Sequence, residues 1–293
     1  MVTALALSAA LAYGVADFLG GAVARRSTAL RALLWCVPTG LALVLAGTLL
    51  TGGTPDTRSL AWGLGAGLAG GTGLMTFYRA LAKGPMSVVA PVSALTASLL
   101  PVVVGVLRGE RLDTAVMLGV ALCLVAIGLV SMEEGRPEAA DVQATGLRRH
   151  LDSGPVMAAV SGACFGIFFI LLKEAGDGAG LWPLVAARLG NLLVVVAAFV
   201  VLFRLRGGDT GPKVSGRVLI TLALISGALD AGANVLYFLA VRDGLLSLAA
   251  VLTSLYPAVT VLMARIAYSE RLRTVQQLGL ALAAAGVALV TVG

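Results

Sequence analysis

Long apolar stretches, separated by short polar breaks, run through the whole chain. Each is close to 20 residues, the length at which an α-helix crosses about 30 Å of hydrocarbon. Continuous apolarity excludes the alternating pattern of a membrane barrel, and backbone groups in lipid must be hydrogen-bonded within the segment. We therefore predict an all-α integral membrane protein with ten transmembrane helices. The predicted helices cover residues 3–24, 31–51, 60–82, 87–107, 114–131, 155–174, 181–203, 217–241, 246–267 and 274–292.

The composition supports this class. The chain is 59% hydrophobic and only 12% charged, whereas a soluble domain carries about 25% charged residues. The net charge of +6 is scattered between apolar runs, so a nucleic-acid partner is not expected. The one histidine, His150, lies in a polar stretch, and the three cysteines share no CxxC spacing. We therefore expect no metal site and no cofactor.

The chain divides near its middle. Residues 132–154 form the longest polar stretch, which we interpret as a linker between two five-helix halves, residues 1–131 and 155–293. The halves repeat in sequence: Glu110-Arg111-Leu112 recurs 160 positions later as Glu270-Arg271-Leu272, and Tyr13-Gly14 aligns with Phe165-Gly166 at an offset of 152. A duplicated unit with an odd number of spans places its second copy upside down. Inverted repeats with a ligand site between them are typical of secondary transporters.

The repeated segments also resemble a known family. The runs from Leu95 to Leu112 and from Leu252 to Leu272 are similar to the fourth and ninth helices of EamA-type carriers of the drug/metabolite transporter superfamily. The resemblance covers nearly the whole chain and implies ten helices in two repeats. Ser269 stands where the family has a second motif glycine, and Pro101 lies four residues nearer its glutamate than Pro257 does. The motif identifies a scaffold and does not identify a substrate.

Three charged residues lie well inside predicted spans: Asp17, Asp230 and Arg188. Each such charge costs roughly 2.5–3.5 kcal/mol near a helix centre, so it needs a partner or a water-filled cavity. One interpretation is an internal ion pair that fixes helix packing. The other is a group of cavity residues that contact substrate or carry a proton.

A polar stripe favours the cavity. Ser226, Asp230, Asn234 and Tyr237 share one face of the eighth span. Tyr13 and Asp17 on the first span are matched in the repeat by Phe165 and Phe169, and a kink is expected at Pro257. A glycine stripe at residues 63, 67 and 71 is assigned to close helix packing. The predicted substrate-cavity residues are Tyr13, Asp17, Ser93, Thr96, Phe165, Arg188, Ser226, Asp230, Asn234, Tyr237, Thr253 and Tyr256.

Asp230 and Asp17 are the candidate coupling residues. A guanidinium close to a carboxylate keeps it ionised, and the single intramembrane arginine can fully offset only one of the two aspartates. The other is the better candidate for a proton site or a cation contact. We favour Asp230, which lies near the middle of its span and farthest from either interface.

Two classes of function remain open. The first is a secondary transporter that moves a small metabolite, an amino acid or an organic cation or drug through a central cavity by alternating access, with proton coupling as an option. The second is an intramembrane enzyme of the aspartyl type, in which Asp17 and Asp230 share a proton. Nothing around either aspartate resembles known intramembrane proteases, so we expect no enzyme. The expected partners are the lipid bilayer, a small-molecule substrate and protons, with the chain a monomer or homodimer.

The distribution of basic residues predicts an orientation. The odd-numbered breaks between spans carry 15 Lys and Arg and the even-numbered breaks five. Basic loops stay in the cytoplasm, which places both termini outside. The family resemblance implies the opposite, with both termini inside. The first span lacks a basic n-region and is not expected to be a cleaved signal peptide. We expect a multi-pass protein of the cell membrane, specifically a bacterial cytoplasmic membrane.

Overall fold

The computed structural model describes residues 1–83, 86–109, 113–131, 154–176, 178–205, 211–268 and 274–292. Every regular element within these ranges is an α-helix. Both Glu-Arg-Leu motifs and, apart from Gly154, the predicted linker lie outside the described residues. The helices are α1 (Val2–Arg26), α2 (Ala29–Thr51), α3 (Thr57–Lys83), α4 (Met86–Leu107), α5 (Thr114–Ser131), α6 (Gly154–Glu174), α7 (Trp182–Leu205), α8 (Arg217–Asp243), α9 (Leu246–Thr253), α10 (Tyr256–Tyr268) and α11 (Thr274–Val292).

The apolar stretches and the helices coincide closely. Each of the ten predicted stretches is helical, and the ninth is divided into α9 and α10. Six segments are long and apolar enough to cross a membrane by length and composition. The number of ten crossings therefore stays a prediction. The six segments are Val2–Arg26, Ala29–Thr51, Val156–Glu174, Trp182–Leu205, Arg217–Arg242 and Leu246–Met263.

The ninth stretch is interrupted where a kink was expected. The helical pattern ends at Ser254, whose N–H donates to the carbonyl of Ala250 at 2.9 Å, and Leu255 follows with a short-range bond of 3.3 Å to the carbonyl of Leu252. Pro257 is the second residue of α10. A proline has no N–H to donate and is tolerated in the first turn of a helix. The helix is therefore interrupted about one turn before Pro257, the residue whose missing N–H would leave a continuous helix one backbone hydrogen bond short.

Small residues bring the helices into close contact. A Cβ atom added at Gly63 would lie 2.3 Å from the carbonyl oxygen of Pro183, and one at Gly67 would lie 2.0 Å from that of Ala187. Helices in lipid associate through such close packing, because the surrounding acyl chains are as apolar as the side chains. The glycine stripe, which continues at Gly71, thus joins α3 to α7. Its predicted packing role is confirmed.

The helices pair in a definite order. Their main neighbours are α1 with α8, α3 with α6 and α7, α4 with α6, α2 with α8, α1 with α10, and α5 with α11. Long apolar side chains such as Leu50, Leu193 and Val201 are exposed on the outside. Apolar side chains that face outward suit a protein surrounded by lipid.

Polar contacts join three of the breaks between helices. The indole Nε1 of Trp182 donates to the carbonyl of Gly53 at 2.9 Å, which connects the start of α7 to the break after α2. Arg108, just after α4, pairs with Glu174 at the end of α6. The breaks that follow α2, α4 and α6 therefore lie at the same end of the molecule.

Candidate functional site

A cavity lies between the helices near their midpoints. Seven helices line it (α1, α3, α4, α6, α7, α8 and α10), and its empty volume, which includes space open to the outside, is about 540 Å³. The lining residues are Tyr13, Asp17, Gly70, Leu74, Ala97, Phe165, Phe168, Phe169, Asn191, Asp230, Asn234 and Tyr256.

Most of the lining residues belong to two pairs of helices, one pair with polar lining residues and the other with mainly aromatic and apolar ones. Helices α1 and α8 pack together, and we call their lining residues the polar wall: Tyr13, Asp17, Asp230 and Asn234. Helices α3 and α6 also pack together, and we call their lining residues the aromatic wall: Gly70, Leu74, Phe165, Phe168 and Phe169.

The polar wall begins with α1, which is held close to α10. A Cβ atom at Gly14 would lie 2.6 Å from the carbonyl oxygen of Tyr256. This contact places the ring of Tyr13 edge-on to that of Tyr256, with centroids 6.3 Å apart. Asp17 follows one turn later and is only 9% exposed. Its carboxylate has no hydrogen-bond or ion-pair partner among the described residues.

The second carboxylate of this wall is paired. Arg188, from α7, is 2% exposed and donates from Nη1 to the carboxylate of Asp230. Gly40 of α2 makes room for the guanidinium, since a Cβ atom there would lie 3.2 Å from Nη1. Asn234 donates its side-chain N–H to the backbone carbonyl of Asp230 at 2.7 Å. The amide oxygen of Asn234 and its second N–H therefore remain for a ligand.

The aromatic wall is a packed set of rings. Phe168 and Phe169 meet edge-on with centroids 5.5 Å apart, and Phe169 lies 4.3 Å from Tyr237 behind it. Phe165 stands edge-on to Phe77 of α3 at 5.9 Å. Rings in these arrangements support one another, so this wall is a preformed apolar surface.

Asn191 is a lining residue that the sequence analysis missed. A Cβ atom at Gly71 would lie 2.9 Å from the Cα atom of Asn191, so the glycine stripe of α3 brings this residue to the cavity. Its Oδ1 atom is buried and has no hydrogen-bond partner within the described chain. Asn191 follows Arg188 by one helical turn inside an apolar run. That spacing was an available signal.

Six of the expected cavity residues lie in the lining, and six lie behind it. Tyr13, Asp17, Phe165, Asp230, Asn234 and Tyr256 belong to the lining. Ser93, Thr96, Arg188, Ser226, Tyr237 and Thr253 do not. Apart from Arg188, whose ion pair is described above, these residues face neighbouring helices.

The residues behind the lining bond or pack between helices. Ser93 lies 3.3 Å from the hydroxyl of Ser161, between α4 and α6, and the Thr96 hydroxyl donates to the carbonyl of Val92 within its own helix at 2.9 Å. A hydroxyl that donates to a backbone carbonyl has no second hydrogen to donate to a ligand.

The same holds where α8 and α9 meet α1. Ser226 donates to the carbonyl of Ala16 at 2.8 Å, and Thr253 donates to that of Ala6 at 3.4 Å. Tyr237 is fully buried against the aromatic wall. These side chains join helices instead of facing the cavity.

The other lining residues that were missed carry no polar signal. Gly70, Leu74, Ala97 and Phe168 are apolar or small residues in apolar helices, and only the packing of the helices brings them to a common space. Across the described ranges, no group of three or more His, Cys, Asp or Glu side chains lies close enough to hold a metal ion.

Helices that are long and apolar enough to cross a membrane, packed around an internal cavity, define a multi-pass membrane protein. Residues 152–292 match the sequence model of the EamA-like transporter family. The match covers just under half of the chain, and over those residues the chain is similar to this transporter family, in agreement with the resemblance to EamA-type carriers.

Other comparisons bear on the fold alone. A solved structure titled only "Crystal structure of protein" is similar over 99% of this chain and 96% of its own, with a TM-score of 0.66 and 20% sequence identity. At that identity the likeness extends to the arrangement of the helices and no further. No curated protein matches the chain.

Proposed function

We propose that the protein is a secondary transporter that moves a small metabolite, an amino acid or an organic cation across the cell membrane by alternating access. The observation that carries this proposal is the cavity near the helix midpoints, which receives residues from both halves of the chain. Asp17, a buried carboxylate that has no partner among the described residues, lies in it. A site of this kind, placed between two halves, is what alternating access requires.

The proposal includes ten crossings in two inverted repeats, residues 1–131 and 155–293 joined by a linker. The pairing of helices supports it: α1 packs on α8 as α6 packs on α3, and α4 packs on α6 as α10 packs on α1. The aligned glycines behave alike as well. Gly14 closely approaches the carbonyl of Tyr256, and Gly166 approaches that of Ala97.

For coupling, we propose Asp17 as the residue that meets a proton or a cationic substrate. The sequence favoured Asp230, because it lies near the middle of its span and farthest from either interface. Arg188 pairs with Asp230. We therefore assign the role to Asp17 instead, because Arg188 already occupies the carboxylate of Asp230.

The pairing of Asp230 also argues against the enzymatic alternative. An aspartyl mechanism needs two carboxylates that share one proton. In this structure the carboxylate of Asp230 pairs with Arg188 and not with a second carboxyl group among the described residues. The carrier remains the better proposal for a cavity that holds Asp17 and Asp230.

The setting of the carrier also stays a proposal. We place it in the cell membrane, in a bacterial cytoplasmic membrane, as a monomer or homodimer. The count of basic residues still predicts that the breaks after α2, α4 and α6 are external. To test this orientation, single cysteines are placed at Thr3 and at Ala139 in a chain without native cysteines. If the orientation is correct, an external reagent labels the cysteine at Thr3 and does not label the one at Ala139.

Reconstitution tests the transport function directly. Purified protein in liposomes is given a panel of radiolabelled amino acids, amines and small drugs, with and without a pH gradient. Compounds that raise the melting temperature of the protein are tested first, because a ligand that binds the native state stabilises it. We expect uptake of at least one compound that protein-free liposomes do not accumulate. Binding without any uptake would contradict the carrier function.

A further inference from the structure

The charges in and next to the cavity do not balance. Asp230 is neutralised by Arg188, and no described cation pairs with Asp17. With both carboxylates ionised, the three groups sum to one negative charge. A buried charge in a membrane protein is costly unless something compensates it. The missing component of this site is therefore a single positive charge.

The uncharged groups near Asp17 agree with this requirement. Asn234 uses one side-chain N–H within α8, which leaves its oxygen and its second N–H for the cavity, and Asn191 has a buried Oδ1 without a partner in the described chain. An amide oxygen accepts a hydrogen bond. Together with the carboxylate of Asp17, these two oxygens can accept hydrogen bonds from a ligand that carries several N–H donors.

The aromatic wall defines the rest of the ligand. Phe165, Phe168 and Phe169 present an apolar surface, with Gly70 and Leu74 beside them. An apolar group that binds to this surface loses no hydrogen bonds with water. A polar group bound there would lose the hydrogen bonds that it makes with water. Aromatic faces also attract cations. A ligand that satisfies both walls has a charged amine at one end and an apolar group at the other.

We infer that the cavity takes a monocationic amine with an aromatic or aliphatic body, bound through its ammonium group to Asp17 on the polar wall and through its body to the aromatic wall. This inference rests on the proposed transport function and narrows its substrate class. It excludes amino acids, although these are also small and amphipathic.

The exclusion of amino acids follows from Arg188. A zwitterion is neutral overall, so it leaves the net negative charge of the site uncompensated, whereas a monocation neutralises it. Arg188 is bound to Asp230 and lies outside the lining. The carboxylate of an amino acid would instead lie near Asp17, and two like charges in a poorly solvated site repel. An amine and an amino acid that share a side chain therefore differ at this site only in their charge: the amine is a monocation and the amino acid is a zwitterion.

A matched series of four compounds tests the inference on the unmodified protein. Binding of phenethylamine, phenethyl alcohol, phenylalanine and phenylacetate is measured by titration calorimetry in detergent at pH 7.5. We expect phenethylamine to bind about ten-fold or more tightly than each of the others, since it alone of the four adds a net positive charge beside Asp17. Equal or tighter binding of phenylalanine, or no binding of any compound, would overturn the inference.

Two variants then locate the interaction. Asp17→Asn keeps the shape and removes the charge, so we expect its affinity for phenethylamine to fall at least ten-fold. Asp113→Asn removes an exposed carboxylate before α5, outside the cavity, and should bind like the wild type. An unchanged affinity in Asp17→Asn would overturn the assignment to that residue.

The two proposals fail in different ways. If phenethylamine binds as expected but wild-type protein in liposomes takes up none of it, the site chemistry stands and the carrier function is contradicted. If phenylalanine binds and is taken up but phenethylamine is not, the carrier function stands and the amine inference is overturned.

Discussion

The polar and aromatic walls of the cavity occupy matching positions in the sequence repeat but have opposite chemistry. The offset of 152 aligns Asp17 of α1 with Phe169 of α6, and the offset of 160 aligns Asp230 of α8 with Gly70 of α3. All four residues line the same cavity. In the predicted repeat, the positions of these lining residues therefore correspond, while the side chains at them differ.

This difference bears on how a repeated scaffold acquires a directional site. Two identical halves would present the same chemistry to both ends of a ligand. Here the carboxylates are confined to α1 and α8, and the phenylalanines to α6. A ligand with one charged and one apolar end therefore has a single favourable orientation.

The largest expected effect comes from breaking the buried ion pair of the polar wall. Arg188→Met leaves the carboxylate of Asp230 in the interior without its partner. Removal of one member of a buried pair costs about 3–5 kcal/mol. We expect a strongly reduced yield of folded protein and a lower melting temperature in detergent.

The double variant Arg188→Met with Asp230→Asn is the control for this prediction. It removes both charges, so most of the lost stability should return. A single Arg188→Met variant as stable as the wild type would contradict the importance of the pair.

Widening the contact between α3 and α7 should have the next largest effect. In Gly67→Ala the new methyl group would lie 2.0 Å from the carbonyl of Ala187, so the two helices must separate. Overpacking of this kind costs about 1–3 kcal/mol. Gly47→Ala on α2 meets nothing within 4 Å and is the matched control. Thermal unfolding should show a loss for Gly67→Ala only, and an equal loss in both would contradict the packing role.

A smaller effect is expected from narrowing the aromatic wall. A Cβ atom at Gly70 would lie 2.8 Å from the ring of Phe168 and 3.2 Å from Oδ1 of Asn191. Gly70→Ala should therefore weaken binding of a bulky amine such as phenethylamine by roughly three- to ten-fold, about 1 kcal/mol. Gly232→Ala on α8 has open space and should bind normally. Unchanged binding in Gly70→Ala would place the apolar body elsewhere.

The smallest effect lies outside the cavity, at the start of α3. The backbone N–H of Ser59 at 3.0 Å and its hydroxyl at 2.9 Å both donate to Asp56, which lowers the pKa of that carboxyl below its ordinary value. A lowered pKa means that the ionised group stabilises the folded state above the unfolded pKa, and that this contribution is lost as the pH falls through the folded pKa. Asp56→Ala should slightly lower the melting temperature at pH 7. The difference from wild type should vanish in acid, and a difference that persists there would contradict the role of the charge.

Much of the fold could be predicted from the sequence because lipid imposes a simple rule on it. Apolar length alone located the helices, including the stretch interrupted near Pro257. Intramembrane polarity pointed to Asp17, Asp230 and Asn234, which do meet in one cavity.

The division between lining residues and those behind them depends on which helices pack together, and the pattern of the sequence does not determine this packing. Ser226 and Thr253 look like ligand contacts, but each donates to a backbone carbonyl of α1. Gly70 and Ala97 look unimportant, but lie in the lining because helices cross there. A side chain's partner is set by which helices are neighbours, so polarity alone could not separate lining residues from those behind them.

The central claim is that Asp17 is the available carboxylate of the cavity and Asp230 the one held by Arg188. Reaction of the folded protein with dicyclohexylcarbodiimide, followed by mass spectrometry of its peptides, tests this without knowledge of the substrate. The reagent adds to a carboxyl group that is protonated and free of an ion pair, and the adduct rearranges to a stable N-acylurea. We predict a modified Asp17 and an unmodified Asp230, although the Asp230 side chain is 19% exposed. Modification of Asp230 with Asp17 left intact would contradict the account.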